Sequence, residues 1–65
     1  MRTVVSDFGV GKYRVLKLDG PKPSSKYDAY RIDGIVYNII PLYDAVNCIA
    51  IESGDSFVGS TVEFI

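Results

Sequence analysis

Short segments in which apolar and polar residues alternate recur along the chain, and they predict β-strands. Val, Ile, Thr, Tyr and Phe are abundant, and these residue types favour strands. Glycine and proline stand between the segments as turn residues. No stretch of about ten residues keeps the apolar spacing of a helix. The pattern therefore predicts an all-β chain.

Five strands are expected, together with a short additional one over residues 2–6. The five are residues 12–19, two arms of a hairpin around Asp33-Gly34, residues 46–52 and residues 57–65. Alternation in the first of them is imperfect, because Tyr13 and Val15 fall on one face while Leu16 and Leu18 fall on the other. A bulge, a twist between two layers or burial on both faces would each explain this. A helix over residues 44–51 is the rival prediction, although its β-branched residues disfavour it.

The Asp33-Gly34 hairpin is the clearest local signal. A type I′ turn needs positive φ at both central residues, and Asp-Gly supplies it at low cost. The turn sets Ile32 opposite Ile35, and alternation then defines one face of the hairpin. The face predicted for the core consists of Tyr30, Ile32, Ile35, Tyr37 and Ile39. From the later strands, Ile49 and Ile51 are expected to face inward, and Val62 and Phe64 are expected to share one face.

Five strands in 65 residues predict a small five-stranded barrel or a strongly curved antiparallel sheet of SH3-like architecture. Such an arrangement protects sheet edges that would otherwise associate. The whole chain, residues 1–65, is expected to form a single small β domain.

The segment Pro41-Leu42-Tyr43-Asp44-Ala45 resembles the Ala-Leu-Tyr-Asp-Tyr stretch of eukaryotic signalling SH3 domains. In that family the stretch lies near the start of the domain and supplies a Tyr that contacts Pro-rich ligands. Here twenty residues follow it, and the chain has no Trp to match the Trp of that binding site. The resemblance therefore transfers no function, and Tyr43 is expected to be a half-buried connecting residue.

Composition removes several chemistries. There is no His, and Cys48 is the single cysteine, so neither a His-activated nucleophile nor a structural zinc site can be built within one chain. No catalytic residue, metal ligand or cofactor site is predicted. Cys48 is expected to be a small buried apolar residue. No apolar run is long enough to cross a membrane, and the N-terminus does not read as a secretory signal. The prediction is a cytoplasmic chain.

Charge is divided unevenly along the sequence. All seven Lys and Arg precede Ile32, where three Asp leave 7 − 3 = +4, and the five acids that follow give −5. Interleaved strands could mix these charges, the two halves could pair within the fold or across a dimer, or the basic half could dock an acidic partner.

These features favour a non-catalytic protein-interaction module, such as a homodimer or an accessory protein of bacterial or phage type. A protein partner or self-association is preferred to nucleic acid, and no small-molecule substrate is evident. The candidate partner-binding residues are Phe8, Lys12, Arg14, Lys17, Tyr27 and Arg31. The alternative is a small nucleic-acid-binding barrel that uses Arg2, Lys12, Arg14, Lys17 and Arg31, with base stacking by its aromatic residues. An enzyme assembled at an oligomer interface is the third hypothesis.

Overall fold

A computed structural model describes residues 1–42 and 45–65, and within them the chain forms six β-strands and no helix. The strands are β1 (Arg2–Val10), β2 (Tyr13–Leu18), β3 (Ala29–Ile32), β4 (Ile35–Asn38), β5 (Cys48–Glu52) and β6 (Thr61–Phe64). The all-β prediction is confirmed. The rival helix is wrong where the chain is described, because Cys48 to Ile51 lie in a strand.

All six strands belong to one antiparallel sheet with the order β4-β3-β6-β1-β2-β5. In a flat sheet of six strands the outer two would lie about 24 Å apart. Here the sheet curves so far that an isolated bridge joins Ile40, just beyond β4, to Ala50 in β5. β4 itself forms no ladder with β5, and the sheet does not close into a barrel. The predicted closed SH3-like barrel is therefore wrong, whereas the other predicted form, a single antiparallel sheet, is what the chain adopts. The sixth strand is β1, which was expected only as a short additional strand over residues 2–6.

The β3–β4 hairpin has the predicted turn and register. Asp33 and Gly34 have φ values of 52° and 82°, as a type I′ turn requires. Ile32 pairs with Ile35, and Tyr30 pairs with Tyr37. Ile35 departs from the prediction, because it is 57% exposed. It lies at the tip of the hairpin, beyond the reach of the core.

The first hairpin is longer than its sequence suggested. β1 runs for nine residues and turns into β2 through Gly11 and Lys12. Gly11 has a φ of 59°, as the first position of a type II′ turn requires. A bulge between Val4 and Ser6 shifts the β1–β2 register. This bulge lies in β1, so a bulge within residues 12–19 is not the explanation of the alternation there.

The core lies on the concave side of the curved sheet. Its nine buried members come from five strands and one loop: Val4, Leu16, Leu18, Tyr30, Ile32, Ile49, Ile51, Phe57 and Val62. Phe64 packs against them. Ile49 and Ile51 therefore face inward as predicted, and the face that Val62 and Phe64 share is the core face. The last strand is shorter than expected, since Phe57 is buried in a loop and Gly59 bends the chain with a φ of 89°. In the described part of the chain, no helix is long and apolar enough to cross a membrane.

Candidate functional site: an apolar groove

On β1, β2 and β5, the face that points away from the core (the outer face) carries apolar residues, as the core-facing side does. Leu16 pairs with Ile49, and both face the core. One residue earlier in β2, Val15 pairs with Phe8 on one side and with Ala50 on the other. Because side chains alternate along a strand, this second row points away from the core. Apolar faces on both sides explain the imperfect alternation in β2.

The outer row forms the floor of an open groove of about 540 Å³. The second wall comes from the chain between β4 and β5, at Ile40, Leu42 and Ala45. Among the residues that the structure describes, those that line the groove are apolar or aromatic, apart from the thiol of Cys48: Phe8, Val10, Tyr13, Val15, Ile40, Leu42, Ala45, Cys48 and Ala50.

Two of the lining residues project strongly into solvent. Phe8 is 58% exposed and Val10 is 52% exposed. Burying such side chains is worth about 25 cal/mol for each Å² removed from water. An exposed apolar surface of this kind commonly marks a site of interaction.

Charged residues lie at both ends of the groove. At the β1–β2 turn, Lys12 Nζ lies 3.9 Å from a carboxylate oxygen of Glu52 and 5.4 Å from the ring centre of Tyr13. At the other end, Lys17 pairs in register with Cys48, and Lys22 Nζ lies 3.4 Å from the carbonyl oxygen of Leu42.

A shallower depression continues the groove toward β4. Tyr13 and Ile40 line both, and Tyr37, Asn38 and Glu52 complete the depression. Burial raises the pKa of Tyr37, and the carboxylates of Asp55 and Asp33 raise it further. Tyr37 itself belongs to the core face, since it pairs with the buried Tyr30 and packs edge-on against Phe57.

Arg14 lies on the core-facing side of β2, where its guanidinium contacts other residues of the chain. Its Nη1 lies 3.4 Å from a carboxylate oxygen of Asp7, and its Nη2 donates to the Gly54 carbonyl at 2.9 Å. The Asp7 side chain is 4% exposed, and its second oxygen accepts from Phe57 N at 2.6 Å and from Ser56 Oγ at 3.1 Å. Asp7 and Arg14 thus connect the β5–β6 loop to the β1–β2 hairpin through hydrogen bonds.

Arg31 and Tyr27 lie in other parts of the fold. Arg31 donates from Nη2 to Glu63 at 2.7 Å and from Nε at 3.3 Å, and this contact lowers the pKa of the Glu63 carboxyl. Tyr27 packs edge-on against Phe64, with ring centres 5.0 Å apart, and against Tyr30. Tyr30 is buried in the core, so it offers no open face for base stacking.

The structure therefore distributes the predicted partner-binding residues over several surfaces. Phe8 lines the groove, and Lys12 and Lys17 lie at its two ends. Arg14, Tyr27 and Arg31 lie elsewhere, in contact with Asp7, Phe64 and Glu63. Two ion pairs, Lys12 with Glu52 and Arg31 with Glu63, join the basic half of the sequence to the acidic half. These contacts agree with two of the interpretations of the charge pattern, namely that interleaved strands mix the charges and that the two halves pair within the fold.

Sequence reasoning missed the groove, although one signal was present. The sequence analysis did not combine Val15, Ala50 and Cys48 into one surface. Apolar residues on both faces of β2 nevertheless indicate burial or binding on both sides. Cys48 was expected to be buried, but it is only partly covered and lines the groove. Tyr43 and Asp44, and with them the resemblance to the SH3 segment, lie outside the described residues.

Within residues 1–42 and 45–65, no group of three or more His, Cys, Asp or Glu side chains is arranged to hold a metal ion. No protein-family model, curated protein or solved structure matches this chain. The groove is thus interpreted from its own geometry.

Proposed function

We propose that this chain is a cytoplasmic, non-catalytic protein-interaction module or accessory subunit that docks through the apolar groove. The observation that carries the proposal is the outer row of Phe8, Val15 and Ala50, together with the wall at Ile40 and Leu42. A strand that buries one face needs no apolar residues on the other unless a second surface covers it. A cytoplasmic location is consistent with the free thiol of Cys48.

The character of the groove favours a protein ligand. Its lining supplies apolar contact area, while the charged groups lie at its ends. This is the usual arrangement of a protein interface, in which an apolar centre is surrounded by a polar rim. A small-molecule site would be expected to place a few polar groups inside the pocket, and the described lining places no charged side chain there.

The nucleic-acid alternative has less support. A binding surface for nucleic acid needs cations that are free to contact phosphates. Three of its five candidates, Lys12, Arg14 and Arg31, lie against carboxylates. We therefore propose the protein-interaction function alone.

Site-specific photo-crosslinking in the native host cell tests this function. A photoreactive phenylalanine analogue at position 8 should crosslink to a protein across the groove. The same analogue at Val58, which is 59% exposed and does not line the groove, is the matched control. Val10→Asp should abolish the crosslinks from position 8, because it places a charge in an apolar contact, whereas Val58→Asp should leave them unchanged. Crosslinks that are absent, or that survive Val10→Asp, would contradict the proposed function.

A further inference from the structure

The outer edge of β4 presents main-chain groups with which no strand of the described chain pairs. Ile32 and Ile35 flank the two-residue turn as a hydrogen-bonded pair, and such pairs alternate with non-hydrogen-bonded pairs along an antiparallel ladder. Val36 and Asn38 therefore belong to the non-hydrogen-bonded pairs of the β3–β4 ladder. Their N–H and C=O groups point away from β3, toward the side of β4 that carries no further strand.

The bonds on the other side of β3 confirm this alternation. Asn38 lies opposite Ala29, and both main-chain groups of Ala29 are used on the β6 side. The Ala29 N–H donates to the Ile65 carbonyl at 3.1 Å, and the Ala29 carbonyl accepts from Ile65 N at 3.0 Å. Ala29 and Asn38 are therefore a non-hydrogen-bonded pair, and Val36, two residues earlier in β4, has the same orientation.

The contact between β4 and β5 is closed at one end only. Ile40 forms the isolated bridge to Ala50, but no bridge joins β4 itself to β5 within residues 1–42 and 45–65. β5 ends at Glu52. The chain then runs to Gly54, whose carbonyl accepts a hydrogen bond from Arg14 Nη2 at 2.9 Å. The described chain therefore leaves β4 uncovered at the end nearest its turn.

The side chains of β4 do not oppose a further strand. Ile35 and Val36 are each 57% exposed, and β4 contains neither a charged residue nor a proline, which are common protections of an open edge. A β-branched residue such as Val36 forms favourable cross-strand pairs with apolar neighbours. The edge offers a donor and an acceptor at every second residue, and an extended peptide backbone supplies the matching groups.

We propose that the outer edge of β4 binds an extended segment of a partner protein as an additional strand, with an apolar β-branched side chain beside Val36. A depression of about 440 Å³ adjoins this edge, with Val36 and Asn38 on one side and Tyr13 and Glu52 on the other. A single added strand lies about 4.8 Å from β4. A second copy that paired through its own β4 would also bring its β3 to about twice this distance, where Tyr13 and Glu52 lie. The depression therefore favours a single segment.

Short random peptides displayed on phage are the probe for this edge. Peptides selected on the unmodified chain are expected to carry β-branched residues at alternate positions. Val36→Pro should weaken their binding by about tenfold, because it removes an outward N–H and leaves a peptide carbonyl unpaired. Val36→Thr, the matched control, keeps the N–H and the branched shape and should bind the peptides almost unchanged. Proline is tolerated at an edge position whose N–H faces solvent, and circular dichroism would show that the fold is retained.

Backbone methylation of a selected peptide tests the strand pairing on the unmodified chain. N-methylation at successive positions should reduce the affinity at every second residue, since alternate N–H groups of an added strand point toward β4. Hydrogen exchange measured by NMR should slow at the amides of Val36 and Asn38 when the peptide binds. The amide of Val58, which does not line the depression, should exchange at an unchanged rate.

The outcomes separate this edge from the groove of the proposed function, because Phe8 and Val10 do not line the depression. A library that yields no peptide, or binding that Val36→Pro leaves unchanged, would overturn the added strand, and so would methylation effects without a two-residue period. A dimer that Val36→Pro dissociates, detected by light scattering, would replace the partner segment by a second copy. Crosslinks from position 8 would in each case leave the groove standing.

Discussion

The carboxylate of Asp7 is expected to be the most sensitive polar group in the described structure. It accepts hydrogen bonds from Phe57 N at 2.6 Å and Ser56 Oγ at 3.1 Å, and it lies 3.4 Å from Arg14 Nη1. With 4% of its side chain exposed, solvent cannot replace these contacts without opening the β5–β6 loop. Asp7→Asn keeps the size of the side chain but removes its charge and turns an NH₂ group toward one of the donors.

The expected loss of unfolding free energy is about 3 kcal/mol. Breaking a buried ion pair costs roughly 3–5 kcal/mol, and leaving a buried donor unpaired costs roughly 1–3 kcal/mol. Arg14 retains 21% exposure of its side chain, which places the loss at the lower end of the ion-pair range. A domain of 65 residues has a total stability of only about 3–10 kcal/mol, so the variant should be visibly destabilised.

Urea unfolding, followed by circular dichroism at one fixed protein concentration, measures this loss. Asp28→Asn is the matched control, because Asp28 is exposed and its carboxylate has no hydrogen bond to the described residues. The double variant Asp7→Asn with Arg14→Gln should lose less than the sum of the two single losses, since the two side chains interact. A loss below about 1 kcal/mol for Asp7→Asn, or simple additivity in the double variant, would refute the reasoning.

Two further predictions concern the β3–β4 hairpin. Burial, and secondarily Tyr27, raises the pKa of the Tyr30 hydroxyl. The folded state therefore keeps this proton at pH values at which the unfolded chain has lost it. The free energy of unfolding should be unaffected by this group below about pH 10 and should fall as the pH rises further. The decrease in the urea midpoint between about pH 9 and about pH 11 should therefore be smaller for Tyr30→Phe than for the unmodified chain. An equal decrease in the two proteins would argue against this linkage. Gly34→Ala should cost about 1 kcal/mol, because Gly34 has a φ of 82° and open space around it. Gly54→Ala, which also has open space but no positive φ, should change stability little, and equal effects in the same unfolding assay would contradict the backbone explanation.

Local turn chemistry was the most predictable part of the fold. The Asp33-Gly34 pair favours positive φ at both positions and so predicts a type I′ turn, and this turn sets the register of β3 and β4. Gly11-Lys12 carried a similar signal for the first hairpin, but the glycines were interpreted as the boundary of a strand. The short N-terminal strand was therefore predicted at about half its length.

Closure and the groove depend on contacts between distant segments, which local patterns do not encode. The bridge between Ile40 and Ala50 joins the two ends of the curved sheet, and no turn residue specifies it. Arg14 was grouped with other cations by its charge, whereas its partner is determined by the strand that brings Asp7 beside it. Phe8 lines the groove, but the wall opposite comes from a loop more than thirty residues away, which no local pattern indicates.

Alkylation of Cys48 tests most directly whether the groove is a docking surface. Its thiol lines the groove and belongs to the single cysteine of the chain, so a small alkylating reagent reports on that surface alone. At equal concentrations of the chain, the rate should be lower in an extract of the native host than for the purified protein, because a bound partner covers the thiol, and Val10→Asp should remove this difference. Equal rates in the extract and for the purified protein, or a difference that Val10→Asp does not remove, would contradict the account.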